Sequence, residues 1–251
     1  MTDWIGLSPA ALALFSAAIF GAAVLRGFSG FGFALAAVPL VAMIVAPARA
    51  VAIVILVQTI MGLRDIAQNH AVIDRPGVLR LSLGALIGTP LGVAGLLLLD
   101  PPTIKLCIAA IVGVGVLFLL QKPHPTAQLR PLLALATGFL SGLFGGLAAM
   151  PGPPAVAYYL SGPTSANVAR ASLMVFFFLT SALALPGLIL GNLIDIQVVA
   201  LSCAALPLML VGTGVGSRLF QIAPSSSYRV VALSVLIAIS LSSGLQGILN
   251  R

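Results

Sequence analysis

A glycine-rich run ending in proline interrupts an apolar stretch at Gly27-Phe28-Ser29-Gly30-Phe31-Gly32-Phe33-Ala34-Leu35-Ala36-Ala37-Val38-Pro39, and a second such run lies further along the chain. Shifted by 115 residues, Gly27, Gly30 and Pro39 fall on Gly142, Gly145 and Pro154 of Gly142-Leu143-Phe144-Gly145-Gly146-Leu147-Ala148-Ala149-Met150-Pro151-Gly152-Pro153-Pro154. Glycine admits positive φ and clears space around the backbone, while proline removes a donor and disrupts the preceding helical turn. Together they break helices. Lipid cannot satisfy freed N–H and C=O groups, so broken backbone in a bilayer survives only where protein buries it or it lines a cavity. One such run needs no more explanation than close helix packing through small residues. A matched pair with prolines, at corresponding positions of two halves, points instead to the midplane binding site of a transporter.

Composition places this chain in a bilayer. The chain is 60% hydrophobic and 7% charged over 251 residues, with a mean hydropathy of +1.19. No ordinary soluble domain has this balance. At roughly 20 residues per span there is room for about eight to ten crossings, and none for a soluble catalytic domain. Met1-Thr2-Asp3-Trp4 carries no lysine or arginine, so the first apolar run lacks the basic start of a cleaved signal and is expected to remain. Cys107 and Cys203 stand alone in apolar segments, which fits packing rather than a disulfide or a metal. A formal charge of +7 would suggest nucleic acid in a soluble protein. Here the basic residues punctuate the spans, so they are topology signals.

Apolar segments run over 8–25, 30–46, 48–66, 77–99, 103–121, 131–146, 148–161, 167–190, 195–217 and 228–249, separated by turn chemistry such as Asp74-Arg75-Pro76-Gly77 and Asp100-Pro101-Pro102. The halves match beyond the glycine runs. Ala48-Arg49-Ala50 recurs as Ala169-Arg170-Ala171, and Gly88-Thr89-Pro90-Leu91-Gly92 as Gly212-Thr213-Gly214-Val215-Gly216, with Lys105 falling on Arg229. The shared order indicates an internal duplication, with residues 1–122 as the first transmembrane repeat and 123–251 as the second, joined in one membrane domain.

Basic residues favour the cytoplasmic side, so their distribution tests the number of crossings. Eight crossings place six on each side. If each glycine run instead joins two crossings, Arg26, Arg64, Arg75, Arg80, Lys122, Arg130, Arg170, Arg218 and Arg229 share one side, and Arg49, Lys105 and Arg251 face the other. Nine against three is the biased pattern of an oriented protein. It predicts ten segments, both termini outside, and a five-segment repeat whose second copy is inverted because five is odd. The expected fold is therefore an all-α polytopic membrane protein of two inverted repeats, with eight to ten helices depending on whether the short 131–146 and 148–161 pieces are half-helices.

The chain has no glutamate, and Asp3, Asp65, Asp74, Asp100 and Asp195 all lie at predicted segment ends. An intramembrane proton or cation site normally needs a buried carboxylate, and this pattern offers none at midplane depth. His70 and His124 fall in connecting loops, so a metal site, a catalytic dyad or any other enzyme site is unsupported, and no cofactor is implied. Donors remain: backbone N–H groups at the breaks, helix N-termini, hydroxyls, amides and arginines. Such groups suit a small anion. The expected binding residues are Arg26, whose guanidinium can hold an oxyanion bidentately, with Gly27, Ser29, Gly30, Phe31 and Gly32 of the first run and Gly142, Gly145, Gly146, Pro151, Gly152 and Pro153 of the second. Arg49 and Arg170, at equivalent repeat positions, are expected entrance residues at opposite faces. Gln58, Thr59, Asn167, Ser172, Thr180 and Ser181 are further polar groups near the breaks. Each arginine has the simpler reading of an interfacial anchor.

At these motifs the sequence resembles the TauE/SafE sulfite exporter family, also called the TSUP or anion permease family, over nearly its whole length. The carriers are the two glycine runs, the Ala-Arg-Ala pair and the Gly-Thr-x-x-Gly pair. The resemblance implies a multi-pass bacterial inner-membrane permease for small sulfur-containing anions such as sulfite, sulfonates or sulfoacetate, acting in export. It leaves homo-oligomerisation open and implies no nucleic-acid partner. Family first runs are often richer in consecutive glycines than Gly30-Phe31-Gly32-Phe33, and the phenylalanines suit a more apolar pocket. The alternatives are a permease for another small organic anion and a membrane scaffold without flux.

Overall fold

The computed structural model describes residues 7–29, 32–69, 71–120 and 131–222. Within them the chain is all-helical: α1 (Pro9–Ser29), α2 (Phe33–Val41), α3 (Pro47–Asn69), α4 (Arg75–Leu98), α5 (Pro101–Leu120), α6 (Pro131–Ala148), α7 (Gly152–Leu160), α8 (Ala166–Leu190) and α9 (Ile196–Ile222). Six of these, α1, α3, α4, α6, α8 and α9, are long and apolar enough to cross a membrane. The expected segment 228–249, its Arg229, and Lys122, His124, Arg130 and Arg251 lie outside the described residues.

Aspartate starts three of the helices. Asp74 accepts from the Gly77 N–H at 3.2 Å, Asp100 from the Thr103 N–H at 3.2 Å, and Asp195 from the Val198 N–H at 2.8 Å. Each satisfies a donor that the helix itself leaves orphaned. This is why carboxylates in a chain so apolar cluster at segment ends.

Small residues decide which helices meet. Along α4, Gly84, Gly88 and Gly92 form one stripe facing Gly138, Gly142 and Gly146 of α6, so closely that a Cβ at Gly142 would lie 2.7 Å from the Ala85 Cα and 2.9 Å from the Thr89 nitrogen. Both stripes ascend together, so α4 and α6 run parallel. The opposite side of α4 presents exposed Leu79, Leu83, Leu86, Ile87 and Leu91. Bulky side chains thus face outward and glycines inward, the arrangement by which helices associate in lipid. A second close crossing joins α1 to α9, where Gly27 abuts the Thr213 backbone and Gly212 abuts Ala23. Buried Phe15, Ile19, Ile53, Ile55, Ile108, Leu188 and Met209 fill a core shared by α1, α3, α5, α8 and α9.

The breaks are followed by short helices. The predicted segment 30–46 resolves into α2 and a turn over 42–46, and the predicted pair 131–146 and 148–161 into full-length α6 and short α7. With 9 residues each, α2 and α7 reach about 14 Å, half of a hydrocarbon core of about 30 Å. They are half-helices. Their partners run in a consistent sense: Arg26 near the end of α1 pairs with Asp65 near the end of α3, and Arg49 near the start of α3 pairs with Asp195, which caps α9. Thus α1, α3 and α9 share one direction. Ser172 near the start of α8 accepts from the Asp74 N–H at 2.9 Å, which sets α8 parallel to α4 and α6 in the other direction.

Candidate functional site

The two half-helices bring the two breaks together. Gly32, Phe33, Ala34 and Leu35 from the first and Met150, Pro151 and Gly152 from the second line one cavity of about 30 Å³, with Arg26, Gln58, Gly62, Asp65, Met174, Phe177 and Phe178 completing its wall. Gln58 ties the halves directly, its side-chain amide donating to the Ala149 carbonyl at 3.1 Å.

At the first break Gly32 caps α2 with φ 98°, a conformation open to glycine and strained for other residues. The first N–H made within α2 comes from Ala36, which donates to the Gly32 carbonyl at 3.2 Å. The N–H groups of Phe33, Ala34 and Leu35 therefore belong to the first-turn donors that a helix does not use itself, and Gly32 has no side chain to cap them. Beside them stands Arg26, 12% exposed, paired with Asp65, 13% exposed, while its Nη1 is buried without a hydrogen-bond partner. Positive partial charge from α2 and an incompletely used guanidinium thus converge on one space.

The second break is built differently. Here α6 ends with the Ala149 N–H on the Gly145 carbonyl at 2.8 Å and the Met150 N–H on Phe144 at 3.2 Å. Ala149 itself takes the left-handed conformation, φ 59°. Such a helix ending usually employs glycine. Pro151, Pro153 and Pro154 carry no N–H, so the start of α7 offers few donors. It supplies a rigid apolar wall.

The expected binding residues divide accordingly. Arg26, Gly32, Pro151 and Gly152 line the cavity. Gly145 faces the side chains of Pro151 and Thr180, and Pro153 lies against Gly115 of α5. Gly27, Gly142 and Gly146 sit instead in the α1–α9 and α4–α6 crossings. Ser29 closes α1, and Gly30 and Phe31 lie outside the described residues. Thr59 and Thr180 donate to carbonyls of their own helices, Ile55 at 2.8 Å and Phe177 at 3.0 Å. Local bonding of this kind leaves them little to offer a ligand.

Arg49 lies at the other end of the bundle, 2.9 Å from Asp195 and 3.0 Å from the Gln197 side chain, beside a cavity of about 190 Å³ lined also by Leu7, Ile44 and Leu201. Arg170 is exposed near the start of α8. Arg49 and Arg170 are not brought together, and neither reaches the cavity between the breaks.

One sequence expectation needs correction. Among the described residues the aspartates do lie near helix ends, yet Asp65 turns inward and forms part of the cavity wall. A carboxylate is therefore available at the site. The signal was present in the basic-residue count, which puts Arg26 and the Arg64-Asp65 step at the same side of the membrane.

Six long apolar helices, with two helix breaks meeting at one cavity, define a multi-pass membrane protein. The sequence matches the family Sulfite exporter TauE/SafE over residues 14–243, most of the chain, and the protein belongs to that family. Membership implies membrane transport of anions such as sulfite and a carrier rather than an enzyme. No curated protein and no solved structure matches the chain.

Proposed function

We propose that the protein is an inner-membrane permease exporting small sulfur-containing anions, sulfite or a short sulfonate, and that the anion is held between the two breaks. The observation that carries this reading is the convergence of the uncapped α2 N-terminus and Arg26 on one cavity. The orphan N–H groups and the guanidinium match the several acceptor oxygens of a sulfur oxyanion. Phe33, Met150, Met174, Phe177 and Phe178 supply apolar contact for an organic remainder. Arg49, beside the opposite cavity, attracts or releases the anion at the other face. A potential of 100 mV, negative inside, favours expulsion of each negative charge by about 2.3 kcal/mol, so the potential by itself can drive efflux.

The same reading includes two inverted repeats, 1–122 and 123–251. It is supported by the matching of the α1–α9 crossing with the α6–α4 crossing and by the corresponding caps Asp74 and Asp195. The end bearing Arg26, Arg64 and Arg75 then faces the cytoplasm. A cysteine placed beside Arg75 should resist impermeant reagents in intact cells, and labelling there reverses the orientation.

Purified protein in liposomes tests transport itself. Saturable flux of sulfite or methanesulfonate under an imposed potential is expected. Absence of specific flux over a panel of sulfur oxyanions and carboxylates would overturn the proposal.

A further inference from the structure

We propose that Asp65 is a resident stand-in for the transported anion: it holds the Arg26 guanidinium in the empty protein, and the substrate loads by displacing it. The inference rests on the proposed anion site and assigns a residue that governs entry to it.

Three observations converge. The pair joins α1 to α3 across 39 residues of sequence with both side chains nearly excluded from solvent, and both residues line the cavity. One terminal nitrogen of Arg26 is nevertheless buried with no hydrogen-bond partner. A guanidinium presents five donors in a planar fork, so the carboxylate occupies the cation without exhausting it. The cavity is also small. Its volume of about 30 Å³ holds roughly two waters, less than a four-atom oxyanion requires. Loading must widen it.

Electrostatics then sets the order of events. Arg26 and Asp65 together are neutral, and the rest of the wall is mostly apolar, with Phe33, Leu35, Met174, Phe177 and Phe178 beside the uncharged amide of Gln58. An anion entering while the pair is intact would place a second negative charge beside the Asp65 carboxylate in a poorly screening environment, with no second cation among the cavity residues. An anion that takes Arg26 for itself restores neutrality at the guanidinium and drives the carboxylate away. This swings the α3 end from the α1 end and widens the cavity toward the Arg26 face. After release, Asp65 recaptures Arg26 and closes the site. Affinity is thereby lowered by an internal competitor, which favours release of the anion.

The test compares D65N with wild type in proteoliposomes, using sulfite and methanesulfonate. Removing the competitor should lower KM about tenfold or more, the scale of one hydrogen bond to a charged group, and should also lower turnover because nothing displaces the bound anion. Asp65→Glu, which keeps the competitor, should stay near wild type in both. An unchanged or raised KM in folded D65N would overturn the proposal and leave the pair as a fastening between helices. If D65N does not fold, spin labels on F20C and L63C in otherwise wild-type protein, with Cys107 and Cys203 replaced by alanine, decide the question. Saturating methanesulfonate should lengthen the α1–α3 distance, and an unchanged distance would overturn the latch. Failure of wild-type flux would instead count against the anion site itself.

Discussion

The two breaks share a glycine spacing and differ in what they can offer an anion. At the first, Gly32 turns the chain so that α2 begins, beside Arg26, with N–H groups that the helix itself does not use. At the second, prolines at 151, 153 and 154 remove donors, and an alanine at φ 59° closes α6. The two helix breaks thus differ in character, one carrying first-turn donors and a paired guanidinium and the other a stiff apolar wall. Even the glycines have separated in duty: Gly32 shapes the cavity, while Gly142 and Gly146 let α6 lie against α4.

The largest effect should come from the packing side of this contrast. Gly142→Leu drives a side chain into the Ala85 and Thr89 backbone, which cannot yield as a flexible side chain would. A cost of about 3 kcal/mol or more is expected from overpacking. The measurement is the yield of monodisperse protein in detergent, which should collapse. Normal yield with normal transport would remove the α4–α6 crossing from the account.

Gly32→Val should give a smaller effect of another kind. The protein reaches the membrane, because the cost of a left-handed branched residue is about 2 kcal/mol. Transport should fall about tenfold as the α2 donors lose their aim. A yield lost in parallel with flux would make Gly32 a folding residue and blur the distinction between the breaks.

The smallest effect belongs to Ala149→Gly. Relieving φ 59° there should raise the thermal unfolding midpoint, by about 1 kcal/mol in stability, and leave KM unchanged, since the second break supplies wall and not donors. A changed KM with unchanged stability would show that Ala149 shapes the binding geometry.

Much of this was legible in the sequence, for identifiable reasons. Helix breaks are local chemistry, so glycine and proline spacing located both of them, and the aspartates fell at predicted segment ends, where Asp74, Asp100 and Asp195 start helices. Donors were expected at both breaks, although Pro151, Pro153 and Pro154 lack the N–H groups that the second would need. What local reading missed was the inward turn of Asp65. Its partner is 39 residues away, and pairing depends on α1 and α3 running in the same direction so that their ends meet. Likewise, nothing in the glycine run separates Gly27, pressed on α9, from Gly32 at the cavity, because the difference lies in which neighbour each faces.

The first break and Arg26 are proposed to hold the transported anion. Sulfite flux through Arg26→Gln protein, reconstituted at wild-type density and oriented alike, tests this most directly. Removing one partner of a buried charge contact costs 2–5 kcal/mol, so flux at subsaturating sulfite should drop by roughly a hundredfold while the protein remains folded. Wild-type flux with an unchanged KM in R26Q would contradict the account and place the anion elsewhere.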